Sequence, residues 1–410
     1  MNSTPRFPDR RRFLGHTALA GLAVAATRSA VTAAEPAPPT LRIGLIGAGE
    51  RGRFLTEELL AAAERTGARL VAVADVWKPN LLSCVERIRQ AQGTTPRSHT
   101  RFRELLAQED VDAVIIATPD FSHGTLLEAS LMAGKDVYIE KPMTLDLPSA
   151  NRALDLARQH QRVVQVGTQR RSEGRFLAAA RYLSQQPLGP LSRVTAEVNF
   201  NQARWLRKLE DCVAQDVDWE AFRLHLPDRP FDPALLRRWQ LFRATSNGMP
   251  GLWMTHYADA VHLLTGATYP RHAVALGGTY IWQDGREHTD TFRTILEYPE
   301  GFLFSWGMGL GNGAGTAFSL HGTRGTLDVE KWTVTPEPGA PPDLVRHEIP
   351  SAPGVSHMEN WLRCLRSRAR PNADIQFGHQ HVVATVMAAS ALETGRRQTY
   401  HPDAREIRAT

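Results

Sequence analysis

The stretch Leu41-Arg42-Ile43-Gly44-Leu45-Ile46-Gly47-Ala48-Gly49-Glu50-Arg51-Gly52 decides how this chain folds. Six residues of a short apolar run lead straight into three glycines placed where a strand must turn into a helix. Gly47 permits the tight turn, Gly49 lets a phosphate approach the backbone, and Gly52 lets helix pack on strand. Glu50 and Arg51 open that helix, whose unpaired N–H groups form an anion site for a pyrophosphate. The spacing is a dinucleotide fingerprint in the strand-then-helix context such a fingerprint requires.

Outward from there the pattern repeats. A helix over 53–66, with Phe54, Leu55, Leu59 and Leu60 on its apolar face, is followed by a strand over 69–74, a helix over 81–92 and a short helix over 102–107. Strands over 113–117, 136–139 and 162–166 then alternate with helices over 124–133 and 149–159. Short strands alternating with helices predict a parallel, doubly wound sheet, here a Rossmann dinucleotide-binding domain over residues 41–166. The second strand ends in Asp75, 23 residues after Gly52, where a carboxylate accepts from ribose hydroxyls and repels a 2′-phosphate. Asp75 therefore favours NAD, with NADP still possible because Lys78 stands nearby.

Ligands of such sheets bind at the carboxyl ends of the strands. The turn Ala117-Thr118-Pro119-Asp120-Phe121-Ser122-His123 lies at that end, with Thr118 and Pro119 walling the cofactor and His123 capping the next helix or facing the site. The next strand runs into Tyr138-Ile139-Glu140-Lys141-Pro142. Proline holds the preceding residue extended, so Lys141 is aimed in one direction, although a Glu-Lys-Pro tripeptide standing alone is an ordinary surface turn.

From about Gly167 the character changes. A helix over 172–185 precedes period-two runs over 193–200, 273–282, 290–298, 302–307, 317–321 and 325–329, which predict an α+β domain over 167–400 built on a large open, mainly antiparallel sheet. Helices over 358–368 and 380–395 follow, and 401–410 reads as a tail. The stretch 202–243, rich in tryptophan, is a loop long enough to be functional or to face a partner.

The N-terminus adds an address. Arg10-Arg11-Arg12-Phe13-Leu14, an apolar stretch over 15–26 and the small residues Val31-Thr32-Ala33 make residues 1–34 a twin-arginine export signal recognised by the twin-arginine translocase, with a stiff Pro-rich tether over 35–40. Export places the protein in the periplasm, and the apolar stretch is too short for a stable membrane span. The leader holds five arginines against one aspartate, so most of the formal charge of +5 leaves with it, and no nucleic-acid footprint remains. Cys84, Cys212 and Cys364 have neither metal-like spacing nor a disulfide pattern.

Together, the fingerprint at Gly47, Ala-Thr-Pro-Asp at 117 and Glu-Lys-Pro at 140 resemble the Gfo/Idh/MocA oxidoreductases across residues 41–400. Val166-Gly167-Thr168-Gln169-Arg170-Arg171-Ser172, Asp218-Trp219, Phe231-Asp232-Pro233, Arg238-Trp239, Gly322-Thr323-Arg324-Gly325-Thr326 and Pro371-Asn372 resemble its exported members. The resemblance implies that Lys141 contacts the reacting hydroxyl and the nicotinamide, that Glu140 orients Lys141, and that the domains associate into homo-oligomers through the open sheet. It also implies a helix carrying Asp-x-x-x-His-x-x-Asp, the histidine acting as acid or base. Here that segment is Leu252-Trp253-Met254-Thr255-His256-Tyr257-Ala258-Asp259, so His256 and Asp259 match while Leu252 replaces the first aspartate.

Asp259 shares a helical face with His256 and is expected to hold its tautomer. His256, Asp259 and His262 point too far apart around a helix to share a metal, and no metal site is expected. His357, His379 and His381 read as helix-start residues, His357 alone approaching the site. Gln169, Arg170 and Arg171 enter the cleft between the domains, the arginines to bind hydroxyls or a carboxylate of the substrate or to form a structural ion pair, and Trp253 offers a flat face to a sugar.

The expected activity is hydride exchange with a secondary alcohol of a sugar, polyol or sugar acid, with NAD held tightly because the periplasm offers little to exchange. The alternatives are glycoside cleavage through transient oxidation at C3 and β-elimination, and a non-catalytic sugar-binding module.

Overall fold

The computed structural model describes residues 40–410; the leader and all of the tether but its last residue lie outside the described residues. The first sheet is built from β1 (Leu41–Ile46), α1 (Glu50–Thr66), β2 (Ala68–Ala74), α2 (Lys78–Gln92), β3 (Arg97–His99), α3 (Phe102–Leu106), β4 (Ala113–Ile116), α4 (His123–Met132), β5 (Asp136–Ile139), α5 (Leu147–Gln159) and β6 (Val164–Val166). All six strands are parallel in the order β3-β2-β1-β4-β5-β6. That order reverses between β1 and β4, and the crevice at their carboxyl ends is where such sheets hold ligands. β4 and β5 are buried along their whole length because helices cover both faces.

The second part continues through α6 (Gly174–Leu183), β7 (Leu191–Asn201), α7 (Trp219–Arg223), α8 (Pro233–Arg237), α9 (Thr255–Thr265), β8 (His272–Gly278), β9 (Thr291–Tyr298), β10 (Phe302–Gly309) and β11 (Gly311–Gly322). It closes with β12 (Gly325–Asp328), β13 (Thr333–Pro336), β14 (His347–Glu348), α10 (His357–Ser367), α11 (Ile375–Thr394), β15 (Gln398–His401) and β16 (Glu406–Ala409). Ten strands form one sheet, antiparallel except where β10 runs parallel to β7. Its covered face buries Phe292, Phe304, Trp306 and Phe318, while Val274, Leu276, Ile295 and Leu303 stand exposed on the other. Period-two alternation along β9, buried at every second residue, is the sequence pattern of a sheet with one uncovered face.

Two boundaries differ from the sequence reading. Residues 401–410 are not a tail: β15 and β16 pair with each other, and β15 pairs with β8, so the chain end completes the sheet edge. α10, assigned by its position to the second domain, packs on α1 of the first. Met358, Trp361, Leu362 and Leu365 share a buried cluster with Ile43, Leu55 and Leu59, and Arg65 pairs with Glu359 at 2.8 Å. An apolar helix face follows the nearest uncovered core, not chain order. The three cysteines are free and buried.

Candidate active site

The glycine loop shows the close approaches that its residue types require. Gly47 has φ +92°, and a Cβ there would stand 2.6 Å from the Ala117 carbonyl oxygen. One on Gly52 would stand 1.9 Å from the Gly47 oxygen, so α1 packs this tightly only without a side chain. A Cβ on Gly49 would meet only Asn80 Nδ2, at 3.6 Å, and both residues border the cleft. The loop thus keeps the cleft open to the backbone at the start of α1, which fits a dinucleotide phosphate.

That cleft, about 950 Å³, brings together Gly47, Gly49, Glu50, Arg51, Asp75, Thr118, Pro119, Glu140, Lys141, Gln169, Trp253 and His256. Asp75 accepts from the backbone N–H of Ala48 at 2.6 Å and of Trp77 at 2.8 Å, one on each oxygen. A carboxylate has lone pairs left for ribose hydroxyls after two such bonds. Burial raises its pKa to about 6 against those two N–H groups.

Glu140 receives Arg51 Nε at 2.6 Å and lies against Gly167, where an added Cβ would come within 2.6 Å of its carboxylate. Lys141 follows, joined to Pro142 by a cis peptide bond. Its ammonium donates to the Leu252 carbonyl oxygen at 2.8 Å. Leu252 belongs to a π-helical turn, Pro250–Met254, that leads into α9; such turns free carbonyls and recur at functional sites. Position 252 therefore meets Lys141 through its main chain. Burial lowers the Lys141 pKa, while Asp120 and Glu140 act to raise it.

Asp120 was not singled out in the sequence for any chemistry. Its side chain is buried at the cleft, 2% exposed, and Oδ2 has no hydrogen-bond partner among the described residues. Burial raises its pKa to about 8, opposed chiefly by the Lys141 charge. The signal was present in Thr-Pro-Asp at a strand's carboxyl end; that the acid faces Lys141 depends on how the turn folds.

His256 borders the cleft, and burial, then the charges of Lys141 and Arg170, hold its pKa well below the ordinary value. The imidazole is therefore neutral near pH 7 and free to take a proton. Asp259 is not its orienting partner. Both Asp259 oxygens accept from Arg171 Nε, at 2.8 and 2.9 Å, in a fully buried pair, and Arg171 with His381 holds the Asp259 pKa down to about 2 against burial. Arg171, inward-facing beside it, captures the carboxylate that the helical register alone assigns to His256.

Arg170 also differs from expectation. It is not among the residues bordering the cleft; its guanidinium lies over the Tyr257 ring at 4.4 Å and reaches the His256 carbonyl oxygen at 3.4 Å, behind the site. His123 is neither a cap nor a free site group. Its ring nitrogens lie 2.7 Å from the Pro142 oxygen and 2.9 Å from the Thr118 oxygen, tying two cleft-lining turns together. His262 bonds the Tyr298 hydroxyl at 2.8 Å, and His357 bonds Ser172 and the Val166 carbonyl oxygen inside the core. No group of potential metal ligands occurs among the described residues.

The long stretch 202–243 returns to the mouth of the first sheet. Val217 bridges Trp77, Asp218 N–H donates to the Val76 carbonyl oxygen at 2.9 Å, and Phe222 packs edge-on against Phe121. Arg237 lies over the Trp77 ring at 4.5 Å, and Arg207 reaches Glu50 at 3.2 Å. This strap therefore closes over the half of the cleft that holds Asp75.

Residues 41–168 match the Gfo/Idh/MocA family, described as the oxidoreductase family with an NAD-binding Rossmann fold. The match spans the first domain. Over 156 residues the chain is 33% identical to inositol 2-dehydrogenase of Rhizobium meliloti (strain 1021), a match covering 38% of this chain and 44% of that protein. Over 175 residues it is 31% identical to a glycosyl hydrolase family 109 protein of Shewanella amazonensis (strain ATCC BAA-1098 / SB2B), covering 38% of each. The chain thus spans less than half the length of these two relatives. Aldose-aldose oxidoreductase from Caulobacter crescentus, solved with glycerol, shares the whole two-part fold, with a TM-score of 0.67 at 18% identity over 88% of this chain and 100% of that one. The matched domain is an NAD-binding Rossmann domain, and in this chain Gly47, Gly49, the start of α1 and Asp75 are the residues that fit the dinucleotide.

Proposed function

We propose that this protein is an exported, NAD-dependent oxidoreductase that acts on a secondary alcohol of a sugar, polyol or sugar acid and keeps its cofactor between turnovers. The observation that carries the reading is that Lys141 and His256, from different domains, border the same cleft as the glycine loop and Asp75. Bound NAD supplies the hydride acceptor. His256, neutral and facing the cleft, accepts the hydroxyl proton, and Lys141 donates a hydrogen bond to the same oxygen and stabilises the charge that develops on it. Burial lowers the Lys141 pKa, and Asp120 and Glu140 act against that shift.

The strap over 202–243 supports the captive cofactor: nucleotide release requires its contacts at Trp77, Val76 and Phe121 to open. The twin-arginine leader supports the same reading, since that route carries folded proteins. Exchange of Arg10 and Arg11 for lysine should leave the protein in the cytoplasm if the leader works as proposed. The exposed face bearing Val274, Leu276, Ile295 and Leu303 is the proposed surface for association of copies.

Spectroscopy of the purified full chain tests the central claim. Nicotinamide should be released on denaturation, and its reduced-form absorbance should change on adding a substrate sugar. Protein that neither carries nor binds a nicotinamide dinucleotide sinks both enzyme readings and leaves the non-catalytic module. The match to the glycosyl hydrolase family 109 protein favours the second reading, cleavage by transient oxidation at C3. A released aglycone with no net keto product decides for it; a keto sugar decides for redox exchange.

A further inference from the structure

Most cations around the cleft are already matched. Arg51 is paired with Glu140, Arg207 with Glu50, and Arg237 with Asp211 at 3.6 Å. Lys141 donates to the Leu252 carbonyl oxygen and faces Asp120. Arg204 is different. It follows β7 into the cleft, and its guanidinium carbon lies 4.4 Å from the Phe200 ring centre, 5.3 Å from that of Trp253 and 6.0 Å from that of Trp205. Burial lowers its pKa and no carboxylate opposes that shift; Nε is buried without a hydrogen-bond partner among the described residues.

A half-buried cation with no counter-charge among the described residues carries a desolvation cost, and aromatic faces offset only part of it. The rings flank the guanidinium at 4.4 to 6.0 Å without neutralising it, and its planar fork matches a planar anion with two parallel hydrogen bonds. The location is the substrate end: Trp253 follows Leu252, whose carbonyl holds Lys141, and precedes His256 by three residues on the same run of helix. One positive charge without a carboxylate partner balances one carboxylate, whereas a phosphate dianion calls for more than one cation, and Arg51, Arg207 and Arg237 are already paired.

Building on the sugar-directed reading above, we propose that Arg204 is a carboxylate subsite and that the cleft takes a sugar acid, a uronate or aldonate, in preference to the neutral sugar.

The test uses the purified full chain with its nicotinamide and two readouts. Thermal shift is measured with glucuronate, galacturonate and gluconate, with glucose and galactose as neutral counterparts, and with glucose 6-phosphate. Turnover of the same compounds is followed by nicotinamide absorbance. At least one acid should raise the melting temperature where its neutral counterpart does not, and be preferred by about 100-fold or more in kcat/KM. Arg204→Gln should abolish the acid's shift and raise its KM by about 100-fold, leaving bound nicotinamide unchanged, and Arg204→Lys should restore part of the effect.

A thermal shift by an acid without any absorbance change retains the subsite while overturning the redox reading. Turnover of a neutral sugar as good as that of its acid overturns the subsite while retaining redox. Stabilisation by glucose 6-phosphate alone, no shift with any acid, or loss of nicotinamide from Arg204→Gln also overturns it, the last by assigning Arg204 to the cofactor's phosphates.

Discussion

Asp120 is buried beside Lys141 with one carboxylate oxygen unbonded among the described residues, and the two side chains shift each other's protonation in opposite directions from those that burial imposes. The acid comes from the β4–α4 turn, not from position 252 on the helix lead-in, where the residue is leucine and contributes only its carbonyl. Asp120→Asn should therefore lower kcat by about 10- to 100-fold, with the pH profile losing a step near pH 8. The same change has a stability signature of definite sign. A carboxyl whose folded pKa is raised contributes stability that is full at low pH and lost as pH rises through about 8. At pH 9 the Asn variant should melt above the parent protein, and at pH 4 the advantage should vanish; a lower melting point at pH 9 would sink the assignment.

Protonation of Asp75 should weaken the cofactor. Its folded pKa of about 6 means that below this pH one ribose acceptor becomes a donor-bearing acid. Nicotinamide retention, measured by gel filtration followed by release on denaturation, should fall between pH 7 and pH 5. Asp75→Ser should cut NAD affinity by about 10-fold or more and narrow the preference over NADP.

Gly167→Ala should act through Glu140. The new Cβ falls 2.6–2.9 Å from the Glu140 carboxylate, so Glu140 must leave Arg51 or the strand end must shift. Overpacking of this kind costs about 1–3 kcal/mol. Calorimetry should show that loss, and Lys141, bonded through its N–H to Glu140 at 3.3 Å, should lose kcat as well.

The strap predicts a rate. Phe222 is buried against Phe121 and Leu235, and Phe222→Ala removes the apolar contact that seats residues 202–243 on the first sheet. Cofactor dissociation, followed by chasing bound nicotinamide with a fluorescent analogue, should accelerate by about 10-fold or more. An unchanged rate would mean that the strap does not gate release.

His256 should be silent in the physiological range. Because burial keeps its pKa well below the ordinary value, kcat/KM should show no histidine step between pH 6 and pH 8. His256→Asn should cost about 100-fold or more in turnover while bound nicotinamide is retained.

Sequence alone determined the parts of this protein that obey local rules. Strand-to-helix alternation, the glycines of the turn and Asp75 at a strand end are dictated by backbone sterics and by a period of two or 3.6 residues, and they mark the dinucleotide side of the cleft wherever the rest of the chain goes. The tertiary structure decided which charges meet. Asp259 lies one helical turn from His256 in sequence yet belongs to Arg171; Asp120 and Lys141 are 21 residues apart yet meet at the cleft; Arg204 sits against rings from β7 and the π-helical turn with no carboxylate partner among the described residues. Charge pairing inside a protein is set by burial and by distances of a few ångströms between segments remote in the chain, and no local period encodes them.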